Sequence, residues 1–320
     1  MAFEREIRTT AGPTTLPERA ALGITTMLPS PDAAWVGAEL GRRFGLPLWQ
    51  MAMTATDANR FVLRLARAAT GRPKVLVFDW CYHGTVDEAL VVRGPDGAAV
   101  PRHGSLGPPV DPALTTVVVP FNDVAAVEAA LAPGDVACVL AEPALTNIGI
   151  VLPEPGFHDA LRRLTRDTGT LLVLDETHTI CCGPGGATAA WGLGPDLLVI
   201  GKPIGGGVPA AAYGMTHDVY ARVAAAFGED SIDVSGIGGT LTGNALALAA
   251  VRATLTHCLR PEDFAVAIPL AEAWADGVRD AYTEAGLDWH VQQLGARAEY
   301  WFSPLPRDGA AAAGAVRADL

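Results

Sequence analysis

Short apolar runs recur along the first two thirds of the chain, most of them closed by a charged residue. KVLVFD (74–79), TTVVVPF (115–121), DVACVLAE (135–142), TLLVLDE (170–176) and DLLVIGK (196–202) are mostly apolar without interruption rather than alternating. Such runs predict strands buried on both faces, as in a parallel sheet. Between them, residues 57–70 place Phe61, Leu65 and Ala68 at helical spacing, and residues 157–168 do the same with Phe157, Leu161 and Leu164 after Pro155-Gly156. The alternation predicts an α/β fold, a mostly parallel central sheet with helices on both faces. From about Asn244 the pattern changes to two long alanine-rich helices, 244–259 and 262–286, then the strand-like AEYWFSP. These predict a second, smaller lobe. Residues 92–112, rich in Gly and Pro, read as a loop.

Composition narrows the class of protein. Half of the 320 residues are hydrophobic and 18% are charged, enough for a sizeable core and unlike a disordered chain. The formal net charge of −12, with no Lys/Arg cluster, argues against a nucleic-acid partner. MAFEREIRTT has no apolar core of signal-peptide length, and no segment reads as a membrane span. Cys81, Cys138, Cys181, Cys182 and Cys258 match neither a zinc site nor a C-x-x-C motif, and adjacent cysteines make a poor structural disulfide. Reduced thiols in a cytoplasm are the expectation.

Two of these charged strand ends carry the candidate chemistry. Lys202 leaves DLLVIGK just before Gly205-Gly206-Gly207, and Asp175 ends TLLVLD. Ligand clefts of open α/β sheets lie at such strand ends. A lysine that forms a Schiff base, with a carboxylate that keeps a pyridinium nitrogen protonated, is what pyridoxal phosphate chemistry requires. Thr54-Ala55-Thr56, ahead of the 57–70 helix, offers free backbone N–H groups to a phosphate, with the Thr56 hydroxyl available. Tyr82, in CYHG after another strand, could lay its ring over a cofactor. Taken singly, these read equally as a surface lysine, a plain helix cap at Thr56 or Asp57, and a core tyrosine. A metal site from Asp175, Glu176 and His178 is the competing reading; strand alternation sends Asp175 and Glu176 to opposite faces and argues against it.

The order of these features is more specific than any one of them. Through TATDAN, CYHGTVDE, EPALTNIG, LLVLDETHT, PDLLVIGKPIGGGVP and GGTLTGNALALAA, roughly Gly23 to Ala250, the chain resembles the class III aminotransferases of pyridoxal phosphate fold type I. Within them it is most similar to the glutamate-1-semialdehyde 2,1-aminomutase branch. The resemblance implies Lys202 as the Schiff-base lysine and Asp175 as the pyridinium partner. It implies backbone at Ala55 and Thr56 around the phosphate, Tyr82 on the ring and Asn147 near the ring hydroxyl. Thr240 would reach the phosphate of a neighbouring subunit's cofactor, so a homodimer with shared active sites is implied.

The implied activity is that of an aminotransferase or aminomutase on an amino acid or amino-carbonyl substrate, with small-molecule amino donor and carbonyl acceptor. A racemase or epimerase of the same chemistry, and a non-catalytic truncated relative, are the alternatives. Arg102 and Arg297 are candidates for a substrate carboxylate. The implied organisation is an N-terminal segment (1–22), a large cofactor domain (23–250) and a partial small domain (251–320), short at both ends. Departures from the family pattern are Thr54-Ala55-Thr56-Asp57 in place of Ser-Gly-Thr-Glu, Thr177 in place of a valine, and His178 with Cys181-Cys182, which point to a subgroup with its own substrate.

Overall fold

The computed structural model describes residues 30–227 and 235–316; the expected segment 1–22 lies outside them. In chain order come α1 (Pro31–Phe44), β1 (Leu48–Ala52), α2 (Ala55–Thr70), β2 (Lys74–Phe78), β3 (Val91–Arg93) and β4 (Ala99–Pro101). Then follow β5 (Thr116–Val119), α3 (Val124–Leu131), β6 (Val136–Ala141), α4 (Phe157–Thr168), β7 (Leu171–Asp175) and α5 (Gly186–Ala190). β8 (Leu197–Ile200), β9 (Ala211–Met215), α6 (His217–Phe227), α7 (Ala245–His257), α8 (Pro261–Glu284), β10 (His290–Leu294), β11 (Arg297–Trp301) and α9 (Gly309–Gly314) complete the chain.

Seven strands form the main sheet in the order β1-β9-β8-β7-β6-β2-β5. β5, β2, β6, β7 and β8 are mutually parallel, and β9 is antiparallel to both β8 and β1. β1 therefore runs in the same direction as β8. The C-terminal ends of β1, β2, β6, β7 and β8 all emerge at one edge, and the loops beyond them can meet there. This is the mostly parallel α/β sheet that the uninterrupted apolar runs predicted.

Alternation along the strands divides the core between the two faces. Leu197, Val199, Ala211 and Tyr213 pack with Phe61, Val62 and Leu65 of α2, whereas Leu198, Ile200 and Ala212 pack with Val36 and Leu40 of α1 and with Leu248 and Val251 of α7. Each of these large side chains contributes about 1.5–3 kcal/mol by leaving water. Helices cover both faces, so no strand of the centre needs a polar side.

Two features went unread in the sequence. β1 and β9 (LWQMA and AAYGM) carry Gln50 and small residues, and they are strands through pairing, β9 with β8 and β1 with β9. Residues 92–112, expected as loop, include much of the β3–β4 hairpin. AEYWFSP does contain a strand, β11, and it pairs with β10 rather than with the main sheet. That hairpin docks beside the sheet edge. Gly149, at φ +89°, leaves room for the Trp301 ring, which a Cβ would meet at 2.3 Å. Ala296 N–H donates to Cys181 O at 2.9 Å and Arg297 Nη2 donates to Thr146 O at 3.0 Å. Among the described residues no helix is long and apolar enough to cross a membrane.

Candidate active site

The strand ends enclose a cavity of about 340 Å³. Met53 to Thr56 follow β1, Tyr82 to Gly84 follow β2, Glu142 follows β6, Asp175, Thr177 and His178 follow or end β7, and Lys202 follows β8. Gly207 to Ala210 close the remaining wall. Lys202, Asp175, Ala55, Thr56 and Tyr82 are thus brought together. Asn147 and Thr240 do not line this cavity. With its amide oxygen turned towards Arg102, Asn147 accepts from Nη1 at 3.2 Å and Nη2 at 2.9 Å. Thr240 is exposed, in a turn before α7. Of the three consecutive glycines only Gly207 lines the cavity; Gly206 packs against Thr254.

Lys202 is solvent-exposed and sits at φ +43°, a left-handed conformation that a non-glycine residue adopts at a cost of about 1–3 kcal/mol. The β8 strand has ended and a short 3-10 turn (Lys202–Gly205) begins, so the chain turns sharply while Lys202 faces the cavity.

At the other wall, the cap of α2 is Thr54 rather than Thr56 or Asp57. Its hydroxyl accepts from Asp57 N–H at 3.1 Å and donates to Asp57 Oδ2 at 2.8 Å. Such a cap stabilises a helix by about 1 kcal/mol. Because the helix starts at Ala55, the N–H groups of Ala55 and Thr56 have no turn before them to accept their hydrogen bonds. They border the cavity at the positive end of the helix dipole. Gly84 lies against them: at φ +80°, a Cβ there would stand 2.0 Å from Thr56 Oγ1. Only glycine lets the 82–85 loop close the cradle this tightly.

Asp175 is buried and tightly held. Its Oδ2 accepts from Asn59 Nδ2 and from His83 Nδ1, both at 2.9 Å, and its Oδ1 accepts from Thr177 N–H at 3.0 Å. A carboxylate oxygen has two acceptor positions, so Oδ1 keeps one for a donor in the cavity. Burial works to raise the Asp175 pKa, but the His83 hydrogen bond and charge, with Thr177 and Asn59, outweigh it and hold the group below the usual carboxylate value. Burial likewise disfavours a charged His83; the Cys81 sulfur and Asp175 overcome it and raise that pKa well above the ordinary imidazole value. Asp175 is ionised at neutral pH.

Glu176, next in the chain, turns the other way and accepts from Thr179 Oγ1 and from the N–H groups of Ala187 and Thr188. The two carboxylates diverge as strand alternation requires.

Glu142 and His178 were not foreseen as a connected pair. Glu142 Oε1 accepts from Tyr82 N–H at 3.2 Å, and Oε2 accepts from Thr146 N–H at 3.1 Å and from the Thr146 hydroxyl. That hydroxyl is 2.7 Å from His178 Nδ1. Burial pushes the Glu142 pKa up. Burial, then the charges of Lys202 and Arg297, push His178 down to about 4, with Asp175 opposing and His83 assisting. Glu142 carried the same sign as Asp175 and Lys202, a charged residue closing an apolar strand. Asn59 and His83 carried none, since only the packing of α2 over the sheet brings them to Asp175.

His178 makes stability depend on pH in a defined direction. An unfolded histidine binds its proton near pH 6.5, the folded one only near 4. Between those values the unfolded chain holds more protons, so stability falls as pH drops from about 6.5 to about 4. His178→Phe is expected to flatten this part of the profile, read as the urea midpoint at pH steps across that range. An unchanged slope would assign the pH dependence to other groups.

The candidate arginines are already engaged. Arg102 Nη1 donates to Cys81 O at 3.1 Å and the guanidinium stacks over Trp80. Arg297 donates to Glu299 Oε1 from both Nε and Nη2, at 3.0 and 2.7 Å.

The chain resembles known proteins throughout this region. Residues 26–273 match the model of the family Aminotransferase class-III. A glutamate-1-semialdehyde 2,1-aminomutase of Roseiflexus castenholzii is 37% identical over 256 residues, which are 79% of this chain and 58% of that protein. Two crystal structures of a glutamate-1-semialdehyde aminomutase from Pseudomonas aeruginosa PAO1, one a variant in complex with PMP, match at 49% identity and TM-score 0.90. They cover 94% of this chain and 68% of the solved one. An omega-transaminase from Sphaerobacter thermophilus matches at 28% identity and TM-score 0.83, over 95% of this chain and 70% of the other. The chain spans about three fifths of the length of the curated relatives it matches. With a family match across most of its length, and a mostly parallel α/β sheet superposing on solved members, the chain belongs to the class III aminotransferases.

Proposed function

We propose that the protein is a pyridoxal phosphate-dependent aminotransferase or aminomutase acting at this cavity. The observation that carries the reading is the convergence of Lys202, held at φ +43°, and a buried, ionised Asp175 on one cavity beside the start of α2. The residues present fit the cofactor. Its volume range is that of small-molecule sites, about 300–1,000 Å³. The free N–H groups of Ala55 and Thr56 suit a phosphate, and Asp175 Oδ1 keeps an acceptor position for a pyridinium N–H. Among the described residues, two buried polar atoms on lining residues, Thr177 Oγ1 and His83 Nε2, have no protein partner.

Lys202 would hold the cofactor covalently, Asp175 would hold its ring nitrogen, Tyr82 would flank the ring, and Ala55 and Thr56 would hold its phosphate. Once bound, the cofactor supplies an electron sink for the carbon bearing the amino group. The Lys202 amine, which faces the same cavity, would move protons at that carbon. Asn59 and His83 fix the Asp175 carboxylate in place, so that it does not reorient as charge develops. Met53, Val208 and Pro209 supply apolar wall that limits water. We further propose a cytoplasmic homodimer. Five unpaired cysteines support the reducing compartment, and the exposure of Thr240, outside its own cavity, supports its use in a partner's.

Adding pyridoxal phosphate is expected to give a visible absorbance band, and subsequent addition of an amino donor to yield the corresponding keto acid. A panel of donors, scored for keto acid and for enantiomer, tests the reading. Racemised donor without keto acid would select the racemase alternative, and no band would remove the cofactor from the reading.

A further inference from the structure

The Glu142–Thr146–His178 chain has a property that follows from counting protons. A threonine hydroxyl has one proton to donate. Thr146 directs that proton to Glu142 Oε2, so towards His178 Nδ1 its oxygen can only accept. The proton of that second bond must then sit on Nδ1. With burial, Lys202 and Arg297 all disfavouring the doubly protonated ring, His178 is neutral and its Nε2 is bare. His178 lines the cavity together with Lys202, and among the described residues Nε2 has no protein partner.

The direction depends on Glu142. Burial and the Asp175 charge raise the Glu142 pKa, while the His83 charge and the hydrogen bonds from Thr146 and Tyr82 oppose them. The Tyr82 and Thr146 N–H groups occupy one oxygen each, which suits an ionised carboxylate that takes the Thr146 hydroxyl proton as well. A neutral group donating to Thr146 Oγ1 would send the hydroxyl proton to His178 instead. The imidazole would then present Nε2–H to the cavity.

The difference matters to a ligand. Amines, protonated or not, bring N–H groups that need acceptors. The two carboxylates lining the cavity are heavily used, Glu142 by three donors and Asp175 by three. We propose that Glu142, through the Thr146 hydroxyl, fixes His178 as the neutral Nδ1–H tautomer, so that its bare Nε2 accepts a hydrogen bond from an amino group held beside Lys202. His178 is thereby a positioning residue for amino substrates, and Glu142 and Thr146 act through it. The amine role rests on the function proposed above; the tautomer does not.

The test has two arms. The full chain, labelled with ¹⁵N-histidine, is examined without cofactor at pH 7.5 by long-range ¹H–¹⁵N correlation, His178 being assigned by its loss in His178→Asn. The expected result is a protonated Nδ1 and an unprotonated Nε2, reversed in Glu142→Gln, whose amide can donate to Thr146. Thr146→Val removes the acceptor by another route and is expected to lose the Nδ1–H preference even if the glutamine variant does not fold. A protonated Nε2 in the parent chain, or an unchanged tautomer in a folded variant, overturns the proposal. In the second arm the cofactor-loaded protein is assayed with alanine as amino donor. His178→Leu is expected to raise its KM about tenfold with a smaller change in kcat, the loss of one hydrogen bond. His178→Asn, which keeps an acceptor, should recover most of it. Equal KM values in the parent and leucine variant overturn the amine role. If the parent protein takes up no cofactor, the function reading fails on its own, and the tautomer spectrum still decides this proposal.

Discussion

Lys202→Ala is expected to leave the fold intact and to abolish covalent attachment of pyridoxal phosphate, with turnover lowered by at least about 10⁴-fold. The size follows from two roles lost together, covalent attachment and proton transfer at the reacting carbon. The chain makes the test unusually clean, because it has only two lysines, Lys74 and Lys202. Lys74 opens β2, whose other end leads to the cavity, and is paired with Asp135 at 2.8 Å. Borohydride reduction followed by peptide mapping should place the parent protein's adduct on Lys202 alone. An adduct on Lys74 would sink the assignment. The variant should be about as stable as the parent, since the Lys202 side chain is exposed and alanine has to adopt the same φ +43°. A large drop in its melting temperature would instead make Lys202 a structural residue.

Asp175→Asn separates chemistry from attachment. The borohydride adduct should still form on Lys202, while turnover falls by at least about 10²-fold, the scale on which a single preorganised electrostatic contact is lost. A neutral amide cannot hold a pyridinium proton, so the electron sink weakens. The same change removes the partner of a buried His83 and is expected to cost several kcal/mol, on the order of 3–5 if His83 stays charged. The pH signs follow from the two shifts. Asp175, with its folded pKa lowered, contributes stability that is present above its unfolded value of about 4 and lost as pH falls through the lower folded value. His83, with its folded pKa raised, contributes stability that is full below about 6.5 and lost as pH rises through the higher folded value. The pair therefore holds across neutral pH, and Asp175→Asn should narrow that range most at its alkaline side, where His83 deprotonates earlier. Melting temperatures between pH 4 and 9 would show it. Near-normal turnover in the variant would reduce Asp175 to a structural partner of His83.

How far the sequence could be read depends on which interactions are local. The five predicted strands appear at their places because a run of apolar residues needs no partner to be recognised as buried. Residues 57–70 and 157–168 read as helices because their apolar side chains repeat along one face. Lys202 and Asp175 were legible for the same reason: a charge closing an apolar strand has no local explanation. Glu142 carried that mark too, and its motif EPALTN drew attention to Asn147 instead, which turns to Arg102. The cap lies at Thr54, two or three residues before the expected Thr56 or Asp57, because all three are capable caps and only the backbone path out of β1 selects among them.

The rest was decided in three dimensions. β1 and β9 are strands through pairing with β8 and each other, and the sign of that pairing brings the end of β1 to the edge where β7 and β8 end. Asn59 and His83, 24 residues apart, meet on Asp175 more than 90 residues further along, so no periodicity could reveal them. His178 was visible as a departure, but its tautomer follows from Thr146 and Glu142, and its neutrality from burial with the charges of Lys202 and Arg297. Patterning of single residues is written locally, in propensity and periodicity. Direction, charge state and proton position are properties of neighbours, and the neighbours are chosen by the fold.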